Sequence, residues 1–98
     1  MIAVTVRSAM SIAEALGGRS IKVELDADVN ADVSRLFVQL SQTYGDAFSD
    51  HVFRKDGAVK DGYFSVLLNG RNIFAYDGFG CTLKEGDDIL ILPAISGG

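Results

Sequence analysis

Period-two alternation of apolar and polar residues recurs along this chain, and only one segment carries the period of a long helix. Ile2, Val4 and Val6 alternate with Ala3, Thr5 and Arg7. Ile21, Val23 and Leu25 alternate in the same way with Lys22, Glu24 and Asp26. Each pattern predicts a strand with one buried face. Between them, Ser8–Gly18 has no clear period and reads as a loop with room for one helical turn, closed by Gly17-Gly18. Then Val33, Leu36, Phe37, Leu40 and Tyr44 fall at helical spacing, with Asn30 as the expected N-cap, Asp32 in the first turn and Gly45 placed to end the helix.

The second half repeats the strand signal. In Asp46–Gly62, Ala47, Phe48, Val52 and Phe53 allow a short helix, and 54–57 and 60–62 read as solvated turns. Phe64, Val66 and Leu68 then oppose Tyr63, Ser65 and Leu67. Asn69-Gly70 is a type I′ hairpin signal, because both central residues of that turn need positive φ. Arg71–Ala75 is the expected return strand, Glu85-Gly86-Asp87 a turn, and Ile89–Leu92 the last strand, ended by Pro93. One main helix for about five strands predicts an α+β domain whose helix covers one face of a mixed sheet. The long apolar last strand belongs at its centre, parallel to the first.

Composition narrows the function. A chain of 98 residues with 48% apolar residues can build one small core. A charged fraction of 22% and a net charge of −4 oppose disorder and nucleic-acid binding. The single cysteine excludes a disulfide framework and a cysteine-built zinc site. No apolar run approaches the roughly 18–20 residues of a membrane span, and Met1–Met10 lacks the plan of a secretory signal. A cytoplasmic domain is expected.

The sequence ends Ser96-Gly97-Gly98. Glycines cost backbone entropy when ordered and bury nothing, so such an end is either frayed or used. Its physical uses are threading a narrow tunnel and presenting an unhindered carboxylate.

Residues Leu83–Gly98, with the Leu-Lys-Glu-Gly-Asp-Asp turn and the diglycine, resemble the MoaD/ThiS family of ubiquitin-like sulfur carriers. Phe64–Gly70 resembles the third strand and hairpin of that family, and the element order resembles the β-grasp fold of ubiquitin. The middle, Asp46–Gly62, resembles longer MoaD-like and archaeal small-modifier proteins. Ser8–Gly17 keeps a glutamate, Glu14, but lacks the arginine found there in many molybdopterin-branch members.

The resemblance implies a β-grasp domain over residues 1–95 and a flexible tail over 96–98. It implies that Gly98 is the reacting residue. An ATP-dependent adenylating enzyme (MoeB/ThiF-like) would convert its carboxylate to an acyl-adenylate, and a sulfur donor would then leave a thiocarboxylate. Ser96 and Gly97 would thread the partner's tunnel. No cofactor is bound by the carrier, which is a co-substrate rather than an enzyme. The leading expectation is the small subunit of molybdopterin synthase, acting inside a large-subunit partner. Conjugation to lysines of target proteins, or sulfur delivery to cysteine or thiamine synthesis, is the alternative.

Strand parity adds a docking surface. If Ile89 and Ile91 face the helix, Leu90 and Leu92 face away, as does Leu67. An exposed apolar patch of this kind marks an interaction site, unless a loop or the Phe79 region covers it. The candidate partner-binding residues are Leu67, Leu90, Leu92, Pro93, Ile95 and Phe79. Phe79 is read as a core plug or a rim contact, Cys81 as a turn or surface residue, and His51 as a polar position on the short middle helix. Asp77, Glu85, Asp87 and Asp88 give the tail end an acidic cast, mostly turn solvation, that could steer the domain towards basic partners.

Overall fold

A computed structural model describes residues 1–26, 31–60 and 62–94. Its strands are β1 (Ile2–Ser8), β2 (Ser20–Leu25), β3 (Phe64–Leu68), β4 (Arg71–Asn72) and β5 (Asp88–Pro93). Its helices are α1 (Met10–Leu16), α2 (Val33–Tyr44) and α3 (Asp46–Val52). The strands form one mixed sheet in the order β2-β1-β5-β3-β4. β5 lies at its centre, parallel to β1 and antiparallel to β3. Alternation and the single long helix predicted a mixed sheet with its last strand central and parallel to the first, and the observed order is the ubiquitin-like β-grasp arrangement that the resemblance implied.

Alternation decides which face each strand buries. Val4, Val6, Val66, Ile89 and Ile91 are at most 1% exposed, whereas Leu67, Leu90 and Leu92 on the opposite parity stay partly exposed. The apolar stripe of α2, Val33, Leu36, Phe37 and Leu40, closes over the inner face, and Phe48 and Val52 of α3 extend it. Phe37 is the hub. Its ring centroid lies 5.8 Å from those of Phe48 and Phe64 and 5.2 Å from that of Phe79. The contacts with Phe48 and Phe79 are edge-on, a geometry worth about 0.5–1.5 kcal/mol each beyond burial.

Several local expectations are corrected. Ser8–Gly18 is more than a loop: α1 buries Ile12, Ala13 and Leu16, places Ile12 and Leu16 in the core cluster, and ends at Gly17. The N-cap of α2 is Asp32, whose carboxylate accepts from the Arg35 N–H at 2.8 Å. Asn30, the expected cap, lies outside the described residues. The return strand after Asn69-Gly70 is only two residues long, because the Asn72 side chain accepts from the Phe74 N–H at 2.9 Å and turns 73–75 into a 3₁₀ turn. The hairpin itself is as expected, with φ of 51° at Asn69 and 83° at Gly70. Cys81 is buried, since its backbone runs beside the start of α2, where its carbonyl accepts from the Val33 N–H at 3.1 Å.

Candidate functional site

The candidate site is the end of the sheet where β5 releases the chain. Register places Phe64 opposite Pro93, and the Ala94 N–H donates to the Tyr63 carbonyl at 2.9 Å. That bond is the last described anchor. Tyr63 is 64% exposed beside this exit, and the Lys60 ammonium stands 5.9 Å from its ring centroid. Lys60 is held there because its Nζ also donates to the Asp50 carbonyl at 2.6 Å. Neither residue was singled out from sequence. The signal was present in the β3–β5 pairing, since Tyr63 precedes the residue that must face Pro93.

On the sheet face turned away from the helices, Leu67 pairs directly with Leu90, and Ser65 with Leu92. Arg7 flanks Leu90 from β1. Its guanidinium grips Asp88 with two hydrogen bonds of 2.8 and 2.7 Å. The hydrogen bond to Asp88, then its charge, raises the Arg7 pKa above its ordinary value. The partly exposed leucines thus form a small apolar strip beside a charge pair, reaching towards the exit.

Two expectations change here. Phe79 does not join this strip, because its ring packs against Phe37, Phe64 and Phe74 on the helix side of the sheet. The carboxylates of 85–88 do not surround the exit either. They precede β5, about 17 Å from its far end at the usual rise per residue. There they have local work. Glu85 Oε1 accepts from the Ala3 N–H at 2.9 Å, and Asp87 accepts from Asn69 Nδ2 at 3.0 Å and from the Lys84 N–H at 2.8 Å. The Asp88 N–H donates back to Asn69 Oδ1 at 2.9 Å, so this turn is clamped to the β3–β4 hairpin. Pro93 sits at the exit as expected, and His51 lies in the last turn of α3. Ile95, Ser96, Gly97 and Gly98 lie outside the described residues.

No family model matches the chain. It is 33% identical over 85 residues to small archaeal modifier protein 3 of Haloferax volcanii, covering 87% of each chain. The chain belongs to the ubiquitin-like sulfur carrier and small archaeal modifier family. It is also 29% identical over 89 residues to a protein of Archaeoglobus fulgidus that bears the name of a sulfur carrier, spanning 81% of this chain and 99% of the relative. The fold agrees. The crystal structure of SAMP1 from Haloferax volcanii superposes with a TM-score of 0.81 at 27% identity, over 98% of this chain and 99% of the other. In that light the exit, rather than any cavity, is the place to look for chemistry. Among the described residues no helix is long and apolar enough to cross a membrane.

Proposed function

We propose that this protein carries sulfur on Gly98. An oxygen of the Gly98 carboxylate attacks the α-phosphorus of ATP in an activating enzyme of the MoeB/ThiF kind, and pyrophosphate leaves. Hydrosulfide delivered by a donor then attacks the acyl carbon, AMP leaves, a proton is released, and a thiocarboxylate remains. The observation that carries this reading is the anchor at Ala94, on a family member whose sequence runs on through Ser96-Gly97-Gly98. Four residues beyond that anchor span at most about 14 Å. The partner's reacting centre must therefore come within that distance of the end of β5, and the nearby leucines are the surface on which it can rest.

Within this chemistry we assign the protein as the small subunit of a molybdopterin synthase, with Leu67, Leu90, Leu92, Pro93 and Ile95 docking its large subunit and Ser96-Gly97 threading the tunnel. The test is reconstitution. The thiocarboxylate form, mixed with a molybdopterin synthase large subunit and the sulfur-free pterin precursor, should yield the dithiolene product. The Gly98-deleted chain should yield none. Failure with the large subunit, but sulfur transfer in a cysteine- or thiamine-forming system, would reassign the pathway.

The likeness to a small archaeal modifier protein favours a second reading, in which the activated Gly98 acyl group is transferred to lysine amines of other proteins. Its mark is an isopeptide-linked Gly-Gly remnant on target peptides after proteolysis.

A further inference from the structure

β2 is one border of the sheet, and its backbone can be assigned group by group. In β1 the Thr5 N–H donates to the Asp87 carbonyl and the Ala3 carbonyl accepts from the Gly86 N–H, so Ala3 and Thr5 face the β5 side. The Ser8 N–H donates to the Arg19 carbonyl, on the β2 side. Parity in an antiparallel pair then requires Ile21, Val23 and Leu25 to bond to β1, while Ser20, Lys22 and Glu24 turn their N–H and C=O groups outward. The Glu24 carbonyl confirms this, accepting from Gln39 Nε2 at 2.7 Å off the ladder. Among the described residues, the outward backbone groups of Lys22 meet no protein partner.

An open edge of this kind invites another strand, and proteins ordinarily guard it with charge, especially lysine. A guard made of lysines alone would repel a second copy. Here the two charged residues have opposite signs and flank Val23, so the edge is complementary to itself. Placing a two-fold axis on Val23 pairs Lys22 of each copy with Glu24 of the other. Both are outward-bonding residues, so each pair exchanges two backbone hydrogen bonds while its side chains meet on the outer face. On the inner face Ile21 would meet Leu25, and Val23 its own counterpart. The neighbouring registers are poor: an axis on Lys22 sets lysine against lysine, and one on Glu24 sets carboxylate against carboxylate. A shift by one residue would match an outward group with an inward one.

We propose that a second copy of this chain docks on β2, antiparallel and two-fold, giving a continuous ten-stranded sheet. The Glu24 carbonyl keeps a second lone pair beside Gln39 for the partner's N–H. The axis reverses β5 between copies, so the two Ala94 exits emerge at opposite ends of the sheet. Both tails stay accessible, and the outer face carries two Leu67–Leu90 strips. A six-residue edge on each side makes a small interface, so association depends on concentration.

Sedimentation equilibrium tests this, using wild type, Lys22→Glu, Glu24→Lys and an equimolar mixture of the two variants. In each single variant both cross-strand pairs become like-charged, and association should weaken by roughly tenfold or more. In the mixture both pairs again join opposite charges, so association should return to the wild-type level. A wild type that stays at 10.5 kDa up to about 1 mM would overturn the proposal. Equal association in all samples would overturn it too, placing the contact elsewhere on the surface. Circular dichroism on each variant confirms that the exposed substitutions leave the fold intact.

Discussion

Leu67 and Leu90 stand directly opposite each other across the β3–β5 ladder, on the face of the sheet turned away from all three helices. Their sequence neighbours Val66 and Ile89 are fully buried on the other face. One strand pair therefore serves two ends: its inner residues hold the domain together, and its outer residues are available to a partner.

Replacing either outer leucine should separate binding from folding. Leu67→Arg or Leu90→Arg is expected to weaken docking to the activating enzyme at least about tenfold, the effect of losing an anchor at the centre of an interface. Circular dichroism should remain native-like. Isothermal titration reads the affinity, and an unchanged value in a folded variant would remove these residues from the docking surface.

The adjacent inner position should behave in the opposite way. Ile91→Ala removes a fully buried side chain and should cost about 2–5 kcal/mol in denaturant unfolding. Leu90→Ala, partly exposed, should cost clearly less. Equal losses would mean that the two faces are not distinguished by burial as described.

Two small polar devices have their own measurable weight. Asp32→Ala deletes the α2 N-cap and should cost about 1 kcal/mol. Asn69→Ala loses a residue suited to positive φ together with the side-chain bonds to Asp87 and Asp88, and about 1–2 kcal/mol is expected. Chemical denaturation of both variants checks the order, with Asn69→Ala the more damaging.

How much of this was readable beforehand depended on whether the signal was local. The alternation of Ile2–Val6, Ile21–Leu25, Phe64–Leu68 and Ile89–Leu92, the stripe on α2 and the Asn69-Gly70 turn are self-contained, and each gave its element within a residue or two. α1 was harder, because a helix of seven residues with alanines at two of its positions shows little period. It is stabilised by burying Ile12 and Leu16 beneath the sheet rather than by its own pattern. Cys81 and Phe79 depended on contacts far along the chain, with Val33 in one case and Phe37 in the other. The acidic turn at 85–88 lies close to the tail in sequence but a full strand away in space. For the exit, parity correctly separated Leu90 and Leu92 from Ile89 and Ile91, while Tyr63 and Lys60 became visible only with the β3–β5 register.

The chemistry at Gly98 is the central claim, and intact mass spectrometry reads it directly. The protein should be purified from its native host in the presence and in the absence of its activating enzyme. The account predicts a species heavier by the difference between one sulfur and one oxygen atom, located at Gly98 and lost without the enzyme. Finding only the free acid, even after incubation with ATP, a sulfur donor and the activating enzyme, would contradict it.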